Sequence, residues 1–111
     1  MINIDILGKL LSATGLTVIA ARPTVGHEEL AEHFSGKQII TANMYRTVDA
    51  RKEHRPVISD IILDDDIKVL ADTIIVIFKP SYYDSDFLED ICYAQIIKEN
   101  GQEVFKEVEL W

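Results

Sequence analysis

The sequence predicts an α/β domain whose sheet is parallel at its centre and ends in an antiparallel hairpin. Residues 16–21 form a short apolar run that leads through a Pro/Gly turn into a helix-forming segment. Residues 73–78 form a second run rich in β-branched side chains, and Asn100-Gly101 marks a tight turn near the end of the chain. Strands that alternate with helical segments favour a parallel sheet with helices packed on it, whereas an Asn-Gly turn favours a hairpin.

The first half of the chain predicts helix, strand, helix and strand. Residues 3–14 carry apolar side chains at helical spacing, and Gly15 is the predicted C-terminal stop of this helix. Residues 16–21 are continuously apolar, as is typical of a strand that is buried on both faces. Residues 27–35 predict a second helix, and Gln38–Ala42 predicts a short strand.

The second half predicts a loop, a third helix and three strands. Asn43–Ile58 is polar and basic and is predicted to be a loop. Ser59 or Asp60 is predicted to cap a helix that runs to about Leu70. Three strands follow, separated by a loop at Pro80–Asp86 and then by the Asn-Gly turn: Thr73–Phe78, Ile91–Ile97 and Val104–Leu110.

Length and composition fit one globular domain. The chain has 111 residues, of which 48% are hydrophobic and 27% are charged, so we expect residues 1–111 to form a single domain with a real core. The formal net charge is −8. This charge repels a phosphate backbone and disfavours non-specific binding to nucleic acids.

The single cysteine and the absence of a targeting pattern indicate a cytoplasmic protein. Cys92 has no second cysteine with which to form an internal disulfide, and it lies in an apolar run. We therefore expect Cys92 to be a small buried side chain in a reducing compartment. The sequence shows neither a signal peptide nor an apolar run long enough for a membrane helix.

The segment Thr17–Leu30 has the frame of a phosphate-binding loop, in which a strand passes through a tight turn into a helix. Such a loop points backbone N–H groups at phosphates, and its usual signature is G-x-x-x-x-G-K-[ST]. Here Ala21 and Gly26 hold the glycine positions, His27 replaces the lysine and Glu28 replaces the hydroxyl residue that binds magnesium. We therefore predict a degenerate nucleotide loop, for which ATP and magnesium are poor ligands. Its residues are Ala21, Arg22, Pro23, Gly26, His27 and Glu28.

Two further groups of polar side chains have no predicted chemistry. His27 and His33 are six residues apart, with Glu28, Glu29 and Glu32 nearby, whereas two zinc ligands on one helix face are spaced i, i+4. We therefore predict no metal site and interpret these side chains as solvated. The acidic runs at 64–66 and 84–90 are also interpreted as solvated faces, because no motif places a catalytic partner beside them.

Several segments together resemble the C-terminal RecA-like ATPase domain of DnaB-type replicative helicases. Gly15–Gly26 resembles that family's Walker A strand and loop. Ile39–Arg51 resembles a strand that ends in Leu-Ser-Gln and leads into an arginine-bearing loop, with Asn43 at the glutamine position. Residues 55–60 match the family's Arg-Pro-x-x-Ser-Asp, and Ile67–Tyr83 is similar to a segment that ends in a tyrosine.

The resemblance implies a truncated RecA-like, or P-loop NTPase-like, domain. A large part of the ATPase core, including the Walker B aspartate, is missing between Gly36 and Gln38. The remaining strands would lie in the order 38–42, 17–21, 73–78, 91–97 and 104–110. The strand at 38–42 would then be an open edge, which we interpret as a candidate place for dimerisation or partner docking.

The family's catalytic positions are replaced in this sequence. Besides His27 and Glu28, the chain has Gln95 and Ile97 where the family carries a lysine and an arginine finger. We therefore expect a non-catalytic, DnaB-helicase-like domain that acts as a protein-interaction or regulatory module in DNA replication. Its expected partner is a replicative helicase or a second copy of the chain, and no cofactor is predicted.

The alternative is the remnant of a replicative helicase that still binds nucleotide or single-stranded DNA. The family's loops equivalent to residues 43–58 touch the DNA backbone, and this segment carries several basic side chains. The resemblance implies that these side chains contact DNA or a partner, while a solvated surface loop is the simpler interpretation. The candidate residues for contact with DNA or a partner are Arg46, Arg51, Lys52 and Arg55. Arg46 and Arg51 fall on arginine positions of the family's pattern, and Arg55 is the arginine of its Arg-Pro-x-x-Ser-Asp segment.

Overall fold

The computed structural model of the protein describes residues 3–12, 14–23, 25–34, 36–50, 55–84 and 91–110. One mixed sheet of six strands organises this part of the chain, in the order β3-β2-β1-β4-β5-β6. β1 is parallel to β2 and β4, and the other neighbouring pairs are antiparallel. The strands are β1 (Leu16–Ala21), β2 (Gln38–Met44), β3 (Ile61–Ile62), β4 (Thr73–Phe78), β5 (Tyr93–Glu99) and β6 (Gln102–Glu109).

The helices are short and few. They are α1 (Ile4–Leu10), α2 (His27–Ala31) and α3 (Asp65–Leu70), and single 3₁₀ turns lie at Glu32–Phe34, Arg46–Ala50, Ile58–Asp60 and Pro80–Tyr82. None of the helices in the described ranges is long and apolar enough to cross a membrane. The predicted order of five strands is confirmed, and β3 is an addition that the sequence did not predict.

Both faces of the central strands are covered, which explains their continuous apolar sequences. Ile19 and Ile75 point to the face covered by α1 and α2, where Leu7 is fully buried. Their neighbours Val18 and Ile74 point to the opposite face, which the segments between β2 and β4 cover. Alternation along a strand therefore sends successive apolar side chains into two separate cores.

The first helix is shorter than the sequence predicts. Asn3 caps α1 by accepting a hydrogen bond from the backbone N–H of Ile6 at 3.1 Å, and the helix ends at Leu10 rather than at residue 14. Gly15 is therefore not the helix stop. A Cβ atom at Gly15 would clash with the Asp72 carboxylate, so glycine permits this close approach between the start of β1 and the start of β4.

The helix predicted from residue 59 or 60 to Leu70 is wrong over its first half, where the chain forms a 3₁₀ turn and β3 instead. The backbone N–H of Tyr45 donates to the Asp60 carbonyl at 2.7 Å, which ties this segment to the end of β2. α3 begins only at Asp65. Lys98 on β5 donates from Nζ to the carbonyls of Lys68 and Val69, both at 2.9 Å, and so satisfies orphan carbonyls at the end of α3.

The Asn-Gly turn joins β5 and β6 as predicted. Asn100 has φ 51° and Gly101 has φ 79°, and two positive φ values are what a two-residue hairpin turn of this kind requires. Val104 and Val108 of β6 pack on the core beneath α1. The exposed side chains of β6 are charged or polar: Gln102, Glu103, Lys106, Glu107 and Glu109.

The two edges of the sheet differ in charge. β6 carries four charged side chains along one edge, Glu103, Lys106, Glu107 and Glu109, and such side chains oppose pairing with another strand. On the other edge, β3 pairs only with Asn43 and Met44. Gln38–Ala42 therefore has no neighbour on its outer side among the described residues, and Gln38–Met44 contains no charged side chain.

Candidate ligand cleft beside the second helix

The loop after β1 has the strand–turn–helix geometry that the sequence predicts. β1 ends at Ala21, and Gly26 directly precedes α2 as its N-cap residue, with φ +96°. This left-handed conformation strains residues with a Cβ and suits glycine. The Gly26 carbonyl accepts a hydrogen bond from the backbone N–H of Leu30 at 3.4 Å, which starts the helix. The turn thus directs the chain from the end of a central strand into a helix on the sheet.

A cleft of about 330 Å³ opens beside this turn. Its lining residues come from the turn, from the first turn of α2 and from the end of β2: Pro23, Gly26, His27, Glu28, Glu29 and Asn43. Glu28 and Glu29 are exposed, and neither Lys nor Arg is among the lining residues within the described ranges. The cleft therefore carries a histidine at the lysine position of a phosphate-binding loop and a carboxylate at the position of its hydroxyl residue.

His27 and Asn43 bring buried polar atoms without partners into the cleft wall. His27 is 2% exposed, and neither of its ring nitrogens has a hydrogen-bond partner. The Oδ1 atom of Asn43 is buried and unpartnered as well. Burial lowers the pKa of His27 below its usual 6.5. The Ala42 carbonyl, the Glu28 carboxylate and the Asn43 side chain lie near enough to oppose this shift, although none of them has the geometry of a hydrogen bond to the ring. Each unpartnered buried group costs about 1–3 kcal/mol, so these atoms mark a place that lacks a hydrogen-bonding group.

The lowered pKa of His27 predicts a stability that depends on pH. The unfolded chain binds a proton on this histidine near pH 6.5, whereas the folded chain binds it only at lower pH. Stability is therefore lost as the pH falls from 6.5 through the folded pKa. We expect His27→Gln to lose less stability than the wild type in urea unfolding between about pH 7 and about pH 5. His33→Gln is the matched control because His33 is exposed, and equal slopes for all three proteins would contradict the prediction.

Arg22, the cation of the loop, does not line the cleft and is bound by other parts of the fold. Its Nε donates to both carboxylate oxygens of Asp49 at 3.1 and 3.2 Å, and its Nη1 donates to the Met44 carbonyl at 2.6 Å. Tyr83 donates its hydroxyl to the same carboxylate at 2.8 Å, and burial raises the pKa of this tyrosine. The guanidinium also lies 5.8 Å from the ring centre of Tyr82. Arg22 is therefore engaged within the fold and is not presented to an anion in the cleft.

The basic side chains predicted to contact DNA or a partner lie elsewhere. Arg46 is exposed at the start of its 3₁₀ turn. The guanidinium of Arg55 lies 4.0 Å from the ring centre of Phe105 on β6, which is close enough for a cation–π contact. Neither residue lines the cleft. Arg51 and Lys52 are outside the described residues, as is His54.

The other polar groups noted in the sequence form no recognisable reaction centre in the described ranges. Gln95 and Ile97 are buried on β5, where Gln95 donates from Nε2 to Glu107 at 3.1 Å. No group of three or more His, Cys, Asp and Glu side chains within the described residues is arranged to hold a metal ion. Asp64, Asp65 and Asp66 are exposed, while residues 85–90 lie outside the description.

Cys92 is fully buried, which confirms the prediction for this residue. Burial raises the pKa of its thiol to about 11, so the reactive thiolate is scarce at neutral pH. The cysteine therefore adds no nucleophile to the cleft.

No protein-family model matches the chain, and no curated protein matches its sequence. The fold and the cleft define a mixed α/β domain in which an acidic cleft occupies the turn after the first strand.

Proposed function

We propose that this chain is a non-catalytic domain that binds a protein partner. Its resemblance to the ATPase domain of DnaB-type helicases gives the proposal its setting, an interaction or regulatory module in DNA replication. The observation that carries the proposal is the chemistry of the cleft. Glu28 and Glu29 line it, and among the residues that the structure describes no Lys or Arg does.

Electrostatics favours a non-catalytic role. Phosphoryl transfer depends on positioning and on neutralising the charge of the phosphates, and these tasks fall to lysine, arginine and magnesium. Here Arg22 is bound to Asp49, and the lowered pKa of His27 favours the neutral imidazole at pH 7. The carboxylates of Glu28 and Glu29 at the mouth of the cleft repel a triphosphate. We therefore interpret the turn between β1 and α2 as a structural element that directs the chain from strand to helix, with no nucleotide bound.

The open edge of β2 supports a role in binding protein. Gln38–Ala42 offers backbone N–H and C=O groups to an added strand, and no charged side chain on it opposes pairing. β6 lacks this property because charged side chains line it. We propose that a replicative helicase of the DnaB type contributes the added strand.

Nucleotide binding is tested by thermal unfolding with ATP and magnesium. A ligand raises Tm only when it binds the folded state. Since we propose that the folded domain does not bind ATP, we expect the wild type to show no change in Tm. His27→Lys/Glu28→Thr restores the residue types of the signature and serves as the matched comparison. A rise of several degrees in the wild type would contradict the proposal and favour the alternative, a remnant that binds nucleotide.

Partner binding is tested by capture of a DnaB-type helicase on the immobilised domain. We expect Gln38→Lys to reduce capture and Gln102→Lys to leave it unchanged, because both glutamines are exposed at the start of an edge strand but only Gln38 lies on the uncharged edge. Light scattering of the free domain reports self-association. Absence of capture together with a monomer in light scattering would remove the proposal.

A further inference from the structure

We propose that the cleft beside α2 binds the guanidinium group of an arginine side chain that the protein partner presents. The site would then bind a cation in the place where a phosphate-binding loop binds an anion. This inference rests on the proposed function, since it assigns the chemistry of the partner group that such a domain recognises.

Unsatisfied acceptors in the cleft point to a ligand rich in donors. The Oδ1 atom of Asn43 has no partner, and a neutral imidazole at His27 has one acceptor nitrogen and one N–H donor, both without a partner. A guanidinium can serve the two acceptors, but not the imidazole N–H. The carboxylates of Glu28 and Glu29 add acceptors at the mouth of the cleft. A guanidinium carries five N–H donors in a planar fork and no acceptor, so it can satisfy several of these groups at once.

The charges around the cleft also favour a cation. The N-terminus of a helix contributes at most about half a positive charge, and α2 is shorter than the helices for which that value holds. Two carboxylates outweigh this contribution. Arg22, the nearest cation on the loop, is neutralised by Asp49. The net charge of −8 attracts a basic segment from a distance and raises its rate of encounter.

The size and position of the cleft fit one side chain of a bound segment. A volume of about 330 Å³ is at the lower end of the range for small-ligand pockets, about 300–1,000 Å³. Asn43 directly follows the open stretch Gln38–Ala42 on β2. One extended partner segment can therefore reach both the strand edge and the cleft, so that backbone pairing supplies affinity and the arginine supplies specificity.

The inference is tested by NMR titration of the labelled domain with an acetylated, amidated pentapeptide, Gly-Gly-Arg-Gly-Gly. The control peptide carries citrulline, which has the shape of arginine without its charge. We expect the arginine peptide to shift the amide signals of Gly26, His27 and Glu28 and the side-chain amide of Asn43. The citrulline peptide is expected to leave these signals unchanged.

Paired variants separate the cleft from the overall charge. Glu28→Gln/Glu29→Gln is expected to weaken binding of the arginine peptide by ~5-fold, as two partly solvated ion pairs would. Glu103→Gln/Glu109→Gln removes the same charge from exposed positions on β6 and is expected to change binding less than ~2-fold. Equal losses for the two variants would overturn the inference, as would equal shifts with the citrulline peptide or with a lysine peptide.

The two proposals can fail separately. Arginine-peptide binding without helicase capture would retain the cleft assignment and remove the helicase as partner. Helicase capture without any shift at the cleft would retain the interaction role and overturn the arginine assignment.

Discussion

Replacing Asp60 with alanine is expected to lower the free energy of unfolding by about 3 kcal/mol. Asp60 is 2% exposed, and its carboxylate accepts hydrogen bonds from the Thr47 hydroxyl at 2.9 Å and from the backbone N–H of Val57 at 2.8 Å. Alanine would leave the Val57 N–H without this acceptor and would open a small cavity. Since this carboxylate joins the 3₁₀ turn after β2 to the segment before β3, both are expected to loosen together.

Urea unfolding followed by circular dichroism measures this change. The loss corresponds to a decrease in Tm of roughly 13 °C for a chain of this size. Asp60→Asn retains one acceptor oxygen and is expected to cost less than the alanine variant. Asp66→Ala is the matched control, because Asp66 is exposed on α3 and is expected to change stability by no more than about 0.5 kcal/mol. Equal effects of Asp60→Ala and Asp66→Ala would contradict the prediction.

The position of Asp60 also indicates a structural role for residues 55–60, the Arg-Pro-x-x-Ser-Asp segment. Arg55 covers the ring of Phe105 on β6, Pro56 is buried, and Asp60 holds the turn before β3. Each of these contacts lies within the fold. The segment therefore supports the face of the sheet opposite α1 and α2.

The sheet could be predicted from the sequence because its signals are local. β1 and β4 are continuously apolar, since both of their faces are covered, and Asn100-Gly101 specifies its own turn. The error at residues 59–70 has a long-range cause. Apolar side chains there match a helical spacing, but the bond from Tyr45 to Asp60 draws the first part into a strand. Tertiary hydrogen bonding therefore overrides the local pattern.

The site was only partly predictable. The sequence alone shows that His27 and Glu28 stand where the phosphate-loop signature has a lysine and a hydroxyl residue. That Asn43 faces the same cleft depends on the register between β1 and β2, where it lies opposite Ala21. The pairing of Arg22 with Asp49 joins residues 27 positions apart, and no short-range pattern reports such a contact.

Replacing Arg22 with methionine is expected to lower the free energy of unfolding by about 2 kcal/mol. The variant keeps the apolar stem but removes the guanidinium from Asp49 and from the Met44 carbonyl. Removing one partner of a fully buried ion pair costs about 3–5 kcal/mol. The Asp49 side chain is 32% exposed, so water recovers part of the lost interaction and the expected cost is smaller. Tyr83 still donates to Asp49 and limits the loss further.

A double-mutant cycle with Asp49→Asn isolates the contribution of the pair. We expect a coupling energy of about 1 kcal/mol, because the two side chains contact each other directly. Arg46→Met is the matched control, since Arg46 is exposed. Arg22→Met is also expected to bind no ATP. The substitution removes a positive charge near the loop and supplies no new cation that could neutralise the phosphates. If Arg22→Met were as stable as Arg46→Met, the Arg22–Asp49 pair would contribute nothing to stability. Arg22 could then leave Asp49 at no cost and neutralise an anion beside the loop.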